Sequence, residues 1–129
     1  MDIAYSRERD NLGRLAGVLK KLRAVLRGAP EGLTFLPDAA TLAAGANFTF
    51  DTELGPLDVL AWTAGVDSYS QLAQDADRMD VAGVTVRVAC LADLIRMKEA
   101  SGRPKDALHA SEYRLLEREI QRRAEAAEE

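Results

Sequence analysis

The sequence has very few of the residues from which metal and redox sites are usually built. It contains one cysteine, Cys90, and one histidine, His109. A single cysteine excludes a disulfide within the chain, and one cysteine with one histidine is too few for a structural zinc site. No apolar run approaches the roughly 18 residues of a membrane span, and the first residues lack the layout of a signal peptide. We therefore expect a cytoplasmic protein with no membrane segment.

Aromatic residues are also scarce, and acidic residues outnumber basic ones. The chain has 17 lysines and arginines against 21 aspartates and glutamates, which gives a net charge of −4. This balance argues against binding to bulk nucleic acid or to a membrane surface, although it leaves a local basic patch open. Aromatic residues make up 5% of the chain, so leucine, valine and alanine must build most of the core. The length of 129 residues predicts one domain over residues 1–129.

The spacing of the leucines gives the first strong structural signal. After a short strand at residues 3–5, leucines recur in steps of three and four at positions 12, 15, 19, 22 and 26. This period predicts a helix of about five turns over residues 7–27. Ser6 is a candidate for its N-cap, and Gly28 for the residue just past its end.

The rest of the chain predicts short elements joined by turns. A connection over residues 30–37 leads to a short helix over 39–44, which Asp38 caps and Gly45 ends. Alternating residues then predict a hairpin with strands at 48–50 and 57–62, a helix capped by Asp67 or Ser68 that ends at Ala76, and strands at 79–81 and 84–88. Two helices complete the chain, one over residues 91–101 and one that begins at Pro104.

The order of these elements predicts an α/β (α+β) fold. It has a small mixed or antiparallel sheet, flanking helices and a C-terminal helix pair. The last helix is expected to bury an apolar face and to fray over residues 121–129; that face is made by Leu108, Leu115, Leu116 and Ile120.

Asp58 lies at an unusual position in the predicted hairpin. Alternation places it on the same strand face as Leu60 and Trp62, and we expect Trp62 to lie in the core. A carboxylate among hydrophobic side chains is unfavourable unless another group pairs with it. The sequence therefore predicts a partner for Asp58, and in the structural interpretation that partner is a nearby backbone or cationic group.

Three segments carry motifs of one known family. They are D-I-A-Y-S-R-E-R-D-N-L at residues 2–12, N-F-T-F-D-T-E-L-G-P-L-D-V-L at 47–60, and L-A-D-L-I-R-M-K-E-A-S-G-R-P-K-D at 91–106. Together they resemble the polymerase-β-superfamily nucleotidyltransferases, in the minimal bacterial branch related to AbiEii-type toxins. The resemblance implies a nucleotidyltransferase-like fold over nearly the whole chain.

The resemblance also implies a site and a reaction. Asp2 and Asp58 match the second and third of the family's three carboxylates, which hold Mg²⁺ ions about 4 Å apart during nucleotidyl transfer. Lys98 could bind a nucleotide phosphate as a point charge, and Arg103 and Lys105, at a helix start, could bind an anion together with exposed N–H groups. The reaction would transfer a nucleoside monophosphate from a nucleoside triphosphate to an unknown acceptor, which could be an RNA.

The chain departs from the family pattern at its beginning. Met1 matches the middle position of the family's Asp-x-Asp triplet, so the first aspartate and the preceding glycine element are not part of this sequence. The resemblance thus implies a truncated fold in which Mg²⁺ binds only if upstream sequence or a partner completes the site. It further implies an exposed sheet edge, and we expect a homodimer or a partner protein to cover that edge.

Each of these residues also has a purely structural interpretation. Asp2 could be a solvated terminal residue, Lys98 a solvated helix lysine, and Arg103 and Lys105 part of an ordinary turn. Asp106 is expected to interact with the dipole of the last helix. The alternative function is therefore a catalytically inactive remnant that serves in binding or assembly, as a dimerisation or toxin–antitoxin module.

Overall fold

The computed structural model describes residues 1–30, 38–44 and 47–128. Most of the predicted connection over residues 30–37, the glycine expected to end the second helix, and the last residue of the predicted tail lie outside the described residues. The chain forms two compact units, Met1–Trp62 and Thr63–Glu129. The single domain over residues 1–129 stays a prediction.

The first unit is built around a four-stranded mixed sheet. Its elements, in chain order, are β1 (Asp2–Ala4), α1 (Arg9–Lys21), β2 (Val25–Leu26), α2 (Ala39–Ala43), β3 (Phe48–Thr52) and β4 (Gly55–Leu60). The strand order is β1-β4-β3-β2, in which β1 and β4 are parallel and the other pairs are antiparallel. The predicted hairpin is therefore the centre of the sheet.

The core of the first unit lies on one face of this sheet, under α1 and α2. Phe50, Val59, Leu19 and Leu42 are completely buried there. The Tyr5 hydroxyl donates a hydrogen bond to the Leu42 carbonyl at 3.0 Å, and burial raises its pKa. As the composition predicts, aliphatic side chains provide most of this core.

The first helix is shorter than the leucine spacing predicts. It ends at Lys21 because Arg23 adopts a left-handed backbone with φ +52°. The Ala24 amide then donates to the Leu19 carbonyl and the Arg23 amide to the Lys20 carbonyl, which is the Schellman arrangement normally made with glycine. The predicted helix over residues 7–27 is wrong beyond this point. Its last residues form β2 instead, since pairing with β3 satisfies their backbone groups.

Trp62 corrects a second prediction. It lies beyond the end of β4 and its side chain is 58% exposed, so it is not a core residue. The Arg7 guanidinium lies over its ring, 4.7 Å from the centroid. The Asn47 side chain accepts hydrogen bonds from the amides of Ala61 and Trp62, which holds this end of the strand.

The second unit combines a hairpin with three helices. Its elements are α3 (Tyr69–Gln74), β5 (Asp77–Val81), β6 (Val84–Val88), α4 (Leu91–Ala100) and α5 (Pro104–Glu128). Ser68 is the N-cap of α3 and accepts a hydrogen bond from the Gln71 amide at 3.1 Å. Gly102, with φ +71°, turns the chain between α4 and α5. The predicted C-terminal helix pair is confirmed.

The last helix packs through a different face from the predicted one. Its buried residues are Asp106 and Ala110, whereas the four predicted core residues are 50–61% exposed: Leu108, Leu115, Leu116 and Ile120. Apolar spacing alone does not reveal which face of α5 packs against α4. The helix continues to Glu128, and fraying of residues 121–129 stays a prediction.

The described residues therefore form a mixed α+β protein, as predicted. They comprise a four-stranded mixed sheet, a two-stranded sheet and five helices, of which α4 and α5 form the C-terminal pair. Within this part of the chain, no helix combines the length and the hydrophobicity that a membrane span requires.

Candidate carboxylate site

A row of polar residues crosses the four-stranded sheet from edge to edge. Asp2 on β1 is the direct neighbour of Asp58 on β4, and Asp58 is the direct neighbour of Thr49 on β3. Arg27, which follows β2, donates its amide to the Thr49 carbonyl at 2.9 Å. Because residues in register on neighbouring strands point to the same face, these four side chains form one line.

This row lies on the sheet face opposite the core. Leu57 and Val59 are buried on either side of Asp58 along β4, and the Asp58 side chain keeps 30% of its exposure. On β3, Phe50 is buried between the exposed Thr49 and Asp51. Alternation thus places two aliphatic residues and a phenylalanine in the core and leaves the carboxylates on the outer face.

Arg27 is the partner that Asp58 was expected to need. Its Nη2 atom lies 3.1 Å from Asp58 Oδ1 and donates to the Phe50 carbonyl at 3.0 Å, while its Nε atom lies 3.2 Å from Asp51 Oδ1. The hydrogen bond to Asp51, followed by the bond to Asp58, raises the pKa of Arg27. The guanidinium therefore stays charged and offsets the negative charge of two carboxylates on this face.

The carboxylates fit one hydrated divalent ion better than a two-ion centre. Asp2 and Asp58 stand on adjacent strands, roughly 4.8 Å apart along the hydrogen-bonding direction. Mg²⁺ is commonly bound through one or two carboxylates and retains several waters. In the described part of the chain, no group of three or more acidic, histidine or cysteine residues is arranged to hold a metal. The residues present thus provide a pair of ligands, with Arg27 next to one of them.

The predicted phosphate-binding residues belong to the second unit, where a carboxylate engages two of them. Lys98 Nζ lies 3.3 Å from Asp106 Oδ1, and Arg103 Nε lies 2.9 Å from Asp106 Oδ2. The Ser101 hydroxyl donates to Asp106 Oδ2 at 2.8 Å. Hydrogen bonds from Ser101 and Lys98 and the charge of Arg103 lower the pKa of Asp106, although its burial opposes this.

Asp106 is therefore structural, as expected, but it acts mainly through side chains rather than through the helix dipole. It connects the last turn of α4 to the first turn of α5. Lys105 is exposed and so remains accessible. The phosphate-binding role of Lys98, Arg103 and Lys105 stays a prediction, and for the first two it requires an anion to compete with Asp106.

Sequence reasoning missed Arg27 and Thr49 as members of the site. Arg27 is the last residue of the helix predicted over residues 7–27, and no local pattern connects it with Asp58, which lies 31 residues away in the chain. A Val-Leu pair before Arg27 was the only available sign of a strand there. Thr49 was correctly placed on a strand, but its neighbours depend on the pairing order of the sheet.

Comparisons with protein-family models, with curated proteins and with solved structures give no significant match to this chain. The functional argument therefore depends on the residues and on their geometry.

Proposed function

We propose that the protein is nucleotidyltransferase-like and binds a nucleoside triphosphate with Mg²⁺ at the carboxylate row. Its reaction would transfer a nucleoside monophosphate to an acceptor, for which an RNA is one candidate. The observation that carries the proposal is the register of Asp2 with Asp58 on adjacent parallel strands. Two residues 56 positions apart, which the motif resemblance selects as metal ligands, are direct neighbours on the same face of the sheet.

The chemistry of this face supports the proposal. Asp2 and Asp58 would hold Mg²⁺, which supplies charge neutralisation for the phosphates of a bound nucleotide. Arg27 is already on this face, and a planar guanidinium matches phosphate oxygens as well as it matches carboxylates. It would leave Asp58 and donate to a phosphate oxygen as the ion takes its place. Thr49, which lies between Arg27 and Asp58, is small enough to let the guanidinium reach across it to the carboxylate.

Titration calorimetry with Mg·ATP and electron paramagnetic resonance with Mn²⁺ test the site. We expect binding to the wild type and a loss of about tenfold or more in Asp2→Asn and in Asp58→Asn. Asp51→Asn is the matched control, because Asp51 also binds Arg27 but lies outside the Asp2–Asp58 pair. Absence of Mn²⁺ binding to the wild type, or an equal loss in Asp51→Asn, would contradict the proposal. Transfer of label from α-labelled nucleoside triphosphates to total RNA would then test the reaction.

The internal pairing of charges favours a second function, an inactive binding or assembly module. Arg27 neutralises Asp58, and Asp106 engages Lys98 and Arg103, so the principal charges of both groups already have partners. Such a protein would act as a dimerisation or toxin–antitoxin module. It would fold as described here and bind neither Mn²⁺ nor nucleotide.

A homodimer or a partner protein is proposed at the β1 edge in either case. Within the described residues β1 pairs only with β4, so its other edge presents unpaired backbone groups that can accept another strand. Light scattering at micromolar concentration tests this, and Ala4→Pro removes a donor that the strand register turns away from β4, towards the open edge of β1. We expect a dimer that Ala4→Pro converts to monomer, and a wild-type monomer would overturn the homodimer.

A further inference from the structure

The second unit contains a buried carboxylate that is only half satisfied. Asp93, in the first turn of α4, is 1% exposed. Its Oδ1 atom is bound by the Arg96 guanidinium one helical turn later, whereas its Oδ2 atom has no hydrogen-bond partner in the described structure. A carboxylate oxygen that lacks a hydrogen-bond donor costs far more free energy when it is buried than when it is at the surface. Such buried atoms therefore usually face a ligand or an ordered water.

A pocket opens at this carboxylate. It has a volume of about 110 Å³ and is lined by Gly65, Val66, Asp67, Gln71, Asp93 and Arg96. At ~30 Å³ for a water-sized group, it accommodates a fragment of three or four non-hydrogen atoms. The pocket is partly open, so a fragment at the end of a longer molecule can enter.

The backbone at Gly65 fixes the shape of this pocket. Gly65 has φ +85°, and a Cβ at this position would stand 2.5 Å from the Arg96 carbonyl oxygen. The loop before α3 therefore lies directly on α4 and holds the pocket wall in place. Only glycine allows so close an approach in this backbone conformation.

The charges of the pocket select a cation. Two aspartates, Asp93 and Asp67, face one arginine, and that arginine is already bound to Asp93. The free Oδ2 atom accepts hydrogen bonds and cannot donate one while the carboxylate is ionised. An anionic ligand would meet two like charges, whereas an ammonium group would supply both the missing donors and the missing charge.

We propose that this pocket binds the terminal ammonium group of a small amine, with Asp93 as its principal acceptor. Oδ2 is covered in the unliganded protein, so a rotation of the Asp93 carboxylate presents it to the ammonium, which then donates to it. Asp67 adds long-range attraction, and the Gln71 amide oxygen offers a second acceptor. The site lies entirely within the second unit. It uses none of the residues assigned to the carboxylate row, so it stands or falls independently of the proposed nucleotide chemistry.

Nuclear magnetic resonance on the full chain tests the proposal, with ethylammonium chloride as the probe. We expect saturable shifts of the Gly65 backbone amide and the Gln71 side-chain amide. Sodium chloride at equal ionic strength and ethylene glycol, a neutral donor of similar size, are the reference titrations. Shifts that grow linearly, or that either reference reproduces, would overturn the proposal in favour of a screening effect or a hydroxyl or water site.

Two variants locate the binding. Asp93→Asn should abolish the saturable shifts, and the exposed Asp67→Asn should weaken binding about two- to fivefold without disturbing the fold. Asp77→Asn removes the same charge from β5, outside the pocket, and is expected to leave affinity unchanged. If Asp93→Asn does not fold, the comparison of Asp67→Asn with Asp77→Asn still tests the proposal. Equal affinities of these two variants for ethylammonium would overturn the assignment.

Discussion

Arg27 Nη2 lies 3.1 Å from Asp58 Oδ1, across the strand that carries Thr49. Alternation puts Asp58 on the outer face of a central strand, opposite its two buried aliphatic neighbours, and this ion pair gives the carboxylate a partner there. The ion pair also places a cation beside the position at which the motif resemblance locates a metal ligand. A divalent ion at Asp58 must therefore displace Arg27 or share the carboxylate with it.

Replacement of this arginine should strengthen divalent-ion binding. In Arg27→Ala the carboxylates of Asp51 and Asp58 lose their counter-charge, so we expect Mn²⁺ to bind about three- to tenfold more tightly by paramagnetic resonance. Arg23→Ala is the control, because Arg23 forms an exposed pair with Glu53 at 3.3 Å and lies outside the row. Unchanged Mn²⁺ affinity in Arg27→Ala would show that the arginine does not compete with the ion.

The core of the first unit should be sensitive at Leu42. This residue is completely buried under the sheet, so Leu42→Ala should lower the free energy of unfolding by about 2–5 kcal/mol. Leu54→Ala, at a side chain that is 85% exposed in the hairpin turn, should change it by less than about 0.5 kcal/mol. Urea unfolding followed by circular dichroism measures both, and similar values for the two variants would contradict the described core.

Alanine substitutions at two glycines distinguish the cost of backbone strain from the cost of steric overlap. Gly65 and Gly83 have nearly equal positive φ angles, +85° and +82°, but only Gly65 has atoms where a Cβ would lie. We expect Gly83→Ala to destabilise by about 1–2 kcal/mol through its backbone conformation. Gly65→Ala should destabilise by a further ~1–3 kcal/mol, because the Arg96 carbonyl must move. Equal melting temperatures for the two variants would show that the loop does not pack on α4.

Asp106 should make stability depend on pH in acid. Its pKa is lowered in the folded state by the hydrogen bond from Ser101 and by Lys98 and Arg103, from an ordinary value of 3.8. The unfolded chain therefore takes up this proton at a higher pH than the folded one. The stabilisation that ionised Asp106 gives the folded protein is complete above the pKa of Asp106 in the unfolded chain. It is lost as the pH falls from about 3.8 through the lower pKa of Asp106 in the folded state.

This dependence can be measured as a difference between proteins. Urea unfolding from pH 7 to pH 2 should show wild type more stable than Asp106→Asn by a constant margin in neutral solution, and the margin should shrink in acid. Asp80→Asn, at an exposed position on β5, should show no such trend. A margin that stays the same at all pH values would mean that Asp106 is not held ionised by its neighbours.

Much of the local structure follows from the sequence because its causes are local. The caps at Asp38 and Ser68 rest on contacts within three residues along the chain. The strand alternation around Phe50 and in β6 is likewise a local pattern. Pro104 begins the last helix for the same kind of reason. Composition and element order together were sufficient to predict the mixed α+β class.

Only the tertiary structure decided where α1 ends, which residue pairs with Asp58 and which face of α5 is buried. Arg23 ends the helix without the glycine that normally marks such a site, and Arg27 then becomes a neighbour of Thr49 through strand pairing. Asp93 falls within the helix predicted over residues 91–101, but only the packing of the second unit shows that it is buried. Residue periodicity indicates which side chains share a face, whereas only the packing of the whole unit determines what that face meets.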